Sequence, residues 1–333
     1  MTRRSPATAP LALLLAAACA TGEGPRSDAP QLVEAAEAQV AAGSYDEALQ
    51  TLAGVAEDLC PKPLRDRRDL ARARAEFGRG QLWESYLLLE RFSDDHPLSD
   101  LRPQVTELIW SVGSALIERD ESLWILWSDR SAGRMVLEHL VMRHPDTPRL
   151  ADALRLLGDM AFAAGDYELA QIRYREIILE RPNSDWRFYA NFRFAMSIVA
   201  GLRGPDYDLE GMQQAVTELR TFLRTAPENP QMVREAEAAL AQVLSWQVQR
   251  HLDVVAYYRT LGNFPGQLHH ARLATAPEFE QTPGYAAAVA LRERLEAVPA
   301  AERTTRTPAG APAPPRPADP AGPREATLSG RTP

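Results

Sequence analysis

Lysine is nearly missing from this 333-residue chain: Lys62 stands alone against 36 arginines. With abundant alanine and proline beside it, this is a bias of composition and carries no chemistry by itself. Cysteine is as scarce, Cys19 and Cys60 being the only two, and that excludes a disulfide scaffold. Aromatic residues make up 7%. Positive charge is in deficit, with a formal net charge of -8, so a nucleic-acid binder that needs a basic stripe to displace counterions is excluded. No apolar run approaches the roughly 20 residues needed to cross a bilayer. What is present, 45% hydrophobic and 25% charged residues, is enough for one or two ordinary cores.

The signatures of common catalytic chemistry are also missing. No H-E-x-x-H, C-x-x-C, G-x-S-x-G or phosphate-loop pattern occurs. Close acidic pairs lie on patterned helix surfaces, where solvated charge explains them. His96 and His144 each precede a proline and read as helix C-terminal caps favoured by the dipole. His269 and His270 are adjacent, so they point to different faces of a helix and chelate poorly without a third ligand. The expectation is a protein that is not an enzyme and that uses no cofactor and no metal.

The two ends differ from the body. Residues 1–18 carry Arg3 and Arg4 and then the run Leu11 to Ala18, the pattern of a secretory signal. The next words, L-A-A-A-C-A, resemble a bacterial lipobox, which implies lipidation at Cys19; an ordinary A-x-A cleavage site leaving a soluble periplasmic protein is the alternative. Acyl chains would then be the membrane anchor, and Ala20 after the cysteine favours the outer membrane by resemblance to lipoprotein sorting. Residues 19–28 read as a linker. Residues 299–333 hold nine of the 26 prolines and too little apolar surface to offset ordering entropy, so a disordered tail is expected. The signal segment and the tail each carry about +2, which leaves the body near -12.

A repeat organises residues 29–298. In ADALRLLGDMAFAAGDYELAQIRYREIILERPNS, residues 151–184, Leu154, Leu157, Gly158, Gly165, Tyr167, Ala170, Tyr174 and Pro182 fall at the spacings of a tetratricopeptide repeat. Ala170 is small enough to let two helices approach, Tyr174 lies one turn later on the same face, and Pro182 stops the second helix. Gly43, Tyr45, Ala48 and Leu52 repeat the pattern at 29–62. Gly80, Leu82, Leu89 and Pro97 do so at 66–99, with Ser85 as the small residue. A third unit runs from near Pro103 to Pro145, and a fifth closes at Pro227 after Ala215, Leu219 and Phe222. Apolar positions at i, i+3, i+4 and i+7 predict an all-α array, a tetratricopeptide-repeat superhelix built as a solenoid of helix pairs.

Beyond the generic repeat, LVEAAEAQVAAGSYDEALQTLAGVAEDLCP after the lipobox resembles the N-terminal repeat of the BamD family, lipoproteins of the outer-membrane barrel assembly machinery. The aromatic loop before Asp129, Arg130 and Ser131 is similar to that family's loop at the same place. So is RHLDVVAYYRTLGNFPGQLHHAR, through Asp253, Val255, Ala256, Tyr257, Tyr258, Gly262 and Arg272. The resemblance covers roughly residues 19–295. It implies a scaffold, anchored by lipid and facing the periplasm, that meets unfolded barrel substrates and docks on the other proteins of the barrel assembly machinery. An adaptor lipoprotein of a pilus, secretion or cell-division complex is the alternative.

By the repeat's resemblance, first-helix positions two, five, nine and twelve line a concave face. These are Val33, Glu37 and Val40, then Arg67, Leu70, Arg74 and Phe77, then Asp152, Arg155, Asp159 and Phe162. Such a groove, part apolar and part charged, suits a peptide. Trp124, Trp127, Asp129 and Arg130 are the partner candidates of the inserted loop, whose tryptophans are either folded back onto the solenoid, the preferred reading, or offered to a partner; Trp186, Phe188, Tyr189, Phe192 and Phe194 cover too many directions for one buried stripe.

Overall fold

The 3.6-residue period is realised as helix. The computed structural model describes residues 28–55, 60–119, 122–124, 127–205, 208–225, 229–300 and 303, with the side chains of 122–124 and 127 left out. Among these residues it has thirteen α-helices, a two-stranded ribbon and a 3-10 turn. The signal segment 1–18, the lipidation candidate Cys19, Pro227, nearly all of the tail and the side chains of Trp124 and Trp127 lie outside the described residues. The chain divides into two compact units, residues 1–150 and 151–333.

The first unit comprises α1 (Ala29–Ala41), α2 (Tyr45–Ala53), α3 (Lys62–Gly78), α4 (Leu82–Asp95), α5 (Arg102–Arg119) and α6 (Asp129–Arg143). Between α5 and α6 the inserted loop forms the antiparallel pair β1 (Ser122–Trp124) and β2 (Trp127–Ser128), the one departure from an all-helical chain among the described residues. The second unit carries α7 (Leu150–Ala163), α8 (Tyr167–Glu180), α9 (Arg187–Gly201), α10 (Leu209–Arg224), α11 (Pro230–Thr260), α12 (Phe264–Leu273) and α13 (Tyr285–Glu296), with a 3-10 turn at Pro277–Phe279.

One turn joins helices at four places. Gly43, Gly80, Gly165 and Gly262 all have φ between +65° and +80°, where a Cβ is penalised and glycine is not. At each, the glycine N–H donates to the carbonyl three residues back and the following N–H donates five residues back: Gly165 to Phe162 and Asp166 to Ala161, for example. This is the paired-bond helix stop that satisfies the last carbonyls of the first helix. In α8 and α12 the next residue then caps the second helix, Asp166 accepting from Leu169 N and Asn263 from Gly266 N.

Small residues explain how closely the paired helices approach. Ala48, Ser85, Ala170 and Ala215 are all fully buried on the second helix of a pair. Ser85 Oγ, lacking water, donates to the Ala73 carbonyl at 2.8 Å. Gly158 has the complementary role on the first helix: a Cβ there would stand 2.7 Å from the ring of Tyr174, itself fully buried. In the α5 and α6 pair the approach is closer. A Cβ on Gly133 would come 2.8 Å from the Gly113 carbonyl oxygen and 3.1 Å from Ile117 N, both backbone atoms that cannot swing away.

The core is thin and shared along the chain. Ala36 of α1, Ala48 and Leu52 of α2, and Ala71 and Ala75 of α3 form one cluster. Phe192 and Ala195 of α9, Leu219 and Phe222 of α10, and Ala236 and Ala239 of α11 form another. In both clusters the pair closes its apolar face on the first helix of the next, and fully burying a large apolar side chain there is worth roughly 1.5–3 kcal/mol. Helix α11 has 31 residues, about 46 Å at 1.5 Å per residue. Its first half completes the cluster with α9 and α10, and its second half packs against α12, the 3-10 turn and α13.

Candidate functional site

In the second unit the four predicted groove residues of α7 meet the first turns of α9. Asp159 is the centre. Its Oδ1 accepts from the hydroxyls of Tyr174 and Tyr189, each at 2.7 Å, and its Oδ2 accepts from Arg155 Nη1 at 2.9 Å. Arg193 stands 3.8 Å from Oδ1, donates from Nε to the Tyr174 oxygen at 3.2 Å, and lays its guanidinium 3.8 Å over the Phe162 ring. Two turns away, Asp152 accepts from the Trp186 indole N–H at 2.7 Å, and Arg155 stacks 4.3 Å above that indole. Carboxylates, guanidiniums and aromatic faces thus alternate along the seam between α7 and α9.

Burial sets the protonation of this cluster. The Tyr174 hydroxyl is pushed far above the ordinary phenol range by burial, and Tyr189 is raised to about 12 by burial and by Asp159. Both phenols therefore stay protonated and donate. Both oxygens of Asp159 accept hydrogen bonds from within the unit.

The same kind of seam recurs in the first unit. Glu37 of α1 receives Arg67 of α3 through Nε at 3.0 Å and Nη2 at 2.5 Å, and that bonding raises the Arg67 pKa. Arg74 of α3 donates to Gln104 of α5 at 2.7 Å. Both bridges join residues 30 positions apart, first helix to first helix. Val33 and Leu70 are buried, whereas Val40 and Phe77 are half-buried. Phe162 in the second unit is half-buried as well, so the charged members of these positions bridge while their apolar members are only partly turned into the core.

Asp129 is turned inward. It is 3% exposed and accepts from Arg119 Nε at 2.5 Å and Nη2 at 3.0 Å, while Arg119 Nη1 donates to the Gly80 carbonyl at 3.1 Å. The ion pair ties the ends of α5 and α6 together beneath the ribbon. Arg130, the next residue, is exposed. Of the aromatic group at 186–194, Phe192 and Phe194 are buried and Phe188 is 48% exposed. Arg193 went unremarked in the sequence; its place between two buried phenylalanines on a helix is the signal that it faces elsewhere.

Both proline-adjacent histidines do occupy C-cap positions, yet for different reasons. His96 Nε2 meets Asp69 at 2.9 Å. His144 is 4% exposed with neither ring nitrogen hydrogen-bonded, and burial lowers its pKa, so the dipole has no cation there to favour. His270, for its part, is paired with His251, Nδ1 to Nδ1 at 3.3 Å. No group of three or more His, Cys, Asp or Glu suited to a metal occurs among the described residues.

That histidine pair gives a pH dependence. Burial, then neighbouring histidines and Arg250, lower the pKa of His251 and of His270 below 6.5. As pH falls through 6.5, the unfolded chain takes up protons that the folded chain refuses, so stability present above 6.5 is lost on acidification. We expect His251→Gln to make the loss of melting temperature between pH 7.5 and pH 5.5 shallower; an unchanged slope would show that the pair does not control it.

No model of a known protein family matches the chain, and no curated protein matches it.

Proposed function

We propose that this chain is a lipid-anchored outer-membrane protein facing the periplasm, folded as a tetratricopeptide-repeat superhelix and acting without catalysis. Its role is that of a BamD-like scaffold, which receives unfolded barrel substrates and docks on the barrel assembly machinery. The observation that carries the reading is the fourfold glycine stop between paired helices, with a fully buried small residue on the second helix of the pairs. That is the local geometry a tetratricopeptide array requires. The words around Cys19 and the stretches at 129–131 and 253–272 then point to one family of such arrays. In the second stretch, Tyr257 is 45% exposed on the far half of α11 and offers an aromatic anchor to a partner.

Attachment and partnership are separable in one preparation. Cys19→Ala should move the protein from the membrane fraction to the soluble periplasmic fraction, because two acyl chains suffice for stable anchoring and one signal alone does not. Retention on the membrane would mean that another anchor exists. Affinity capture of the native protein from detergent-solubilised envelopes should bring down the barrel insertase in near-equal amount. Recovery of a pilus, secretion or cell-division complex without the insertase would replace the barrel-assembly role by that of an adaptor.

A further inference from the structure

A cavity of about 360 Å3 lies between α4 and α6 of the first unit, lined among others by Tyr86, Glu90, Met135, Glu138, His139 and Met142. Met135, His139 and Met142 are spaced four and three residues apart on α6, so they share one face with neighbouring Cβ atoms roughly 5–6 Å apart. Both thioethers are accessible, Met135 being 39% and Met142 75% exposed. Two exposed methionines flanking a histidine on a helix face are costly as plain surface, yet they form a compact set of soft donors.

We propose that Met135, His139 and Met142 form a binding site for a soft monovalent cation of the Cu(I) or Ag(I) class. Tyr86 is buried, and its hydroxyl reaches both Glu90 at 3.3 Å and His139 Nδ1 at 2.9 Å. With the phenol proton on the Glu90 side, Nδ1–H donates to the phenol oxygen and the lone pair is on Nε2, which has no hydrogen-bond partner among the described residues; that tautomer is the one a bound cation selects. A carboxylate, a phenol and an imidazole in series are the outer support that metal-binding histidines generally have.

One further observation favours a cation here. Glu90, Glu138 and the ion-paired Asp94 and Arg143 line the same cavity, three carboxylates against one guanidinium, while the three donors themselves are neutral, which suits one positive charge better than two. Thioether and imidazole select copper(I) and silver(I) over calcium or magnesium.

The test uses the full chain with both cysteines replaced by alanine, so that no thiol competes, and with its methionine methyl groups and histidine rings labelled for NMR. Silver ion is the probe, since it needs no reductant. Titration should shift the Met135 and Met142 methyl signals and the His139 ring signals together, saturating at one equivalent, while zinc leaves the methyl signals in place. His139→Gln, and separately Met135→Leu with Met142→Leu, should abolish the saturating shift without changing the circular dichroism. Tyr86→Phe should weaken binding roughly tenfold, as loss of outer-sphere support does. Signals of these three residues that stay fixed while silver binds elsewhere would overturn the proposal. So would binding by His139→Gln as tight as that of the parent.

Discussion

Asp159→Ala should lower the stability of the second unit by about 2–4 kcal/mol, because each buried hydroxyl left without an acceptor costs roughly 1–3 kcal/mol. Two phenols and two guanidiniums lose the same carboxylate at once. Tyr174 has no access to water and meets the full penalty, whereas Tyr189 is half-buried and recovers part of it from solvent. Asp159→Asn keeps one acceptor oxygen and should cost less. A double-mutant cycle with Tyr174→Phe isolates the shared part: if the 2.7 Å bond joins the two, removing both should cost clearly less than the sum of the single losses. Full additivity would mean that this bond does not join α8 to α7, and an Asp159→Ala midpoint unchanged in denaturant would mean that the carboxylate does not hold the seam together.

The second large effect belongs to Asp129. Breaking a buried ion pair by deleting one partner costs about 3–5 kcal/mol, since the other charge is left uncompensated. Arg119 is about one-third exposed and can regain some water, so Asp129→Ala should cost nearer to 2–3 kcal/mol, still within reach of that principle. Replacing both partners, Asp129→Leu with Arg119→Met, should restore much of the loss, because an apolar pair of similar volume has no charge to desolvate. Hydrogen exchange at the start of α6 and in the last turn of α5 reads the effect locally. If the double variant is no more stable than Asp129→Ala, the ion pair is not what joins these helix ends.

Helix content, pair boundaries and turn positions were legible in the sequence because they depend on local rules. Positive φ needs glycine, a close crossing needs alanine or serine, and proline ends a helix. Gly43, Gly80, Gly165, Ala48, Ser85 and Ala170 therefore announced themselves. The ribbon at 122–128 did not, because no alternating pattern precedes it and its pairing spans only a few residues. The rule for first-helix positions named Asp152, Arg155, Asp159 and Phe162 as lining a groove, and what the structure shows of them is a set of contacts to α8 and α9. It could not tell that Tyr189 and Arg193, on another helix, would take up their polar atoms. Asp129 was legible as part of a motif, but its burial depends on Arg119 across the inserted loop, a contact that spacing does not encode. His270 with His251 is the same kind of case: two histidines nineteen residues apart meet because α12 folds back on α11.

The length of α11 has a mechanical consequence. One unbroken rod of 31 residues serves as the last wall of the α9 and α10 cluster and the first wall of the region holding α12 and α13. No loop interrupts it, so there is no place to absorb a bend without breaking several successive backbone bonds. A pull applied to Tyr257 near its far end is thereby delivered, about 30 Å back along the axis, to the Phe192 and Phe222 core. Elsewhere in the chain neighbouring pairs are joined by loops that can yield. Here the two neighbours move as one stiff arm, and whatever grips one end gains leverage on the other.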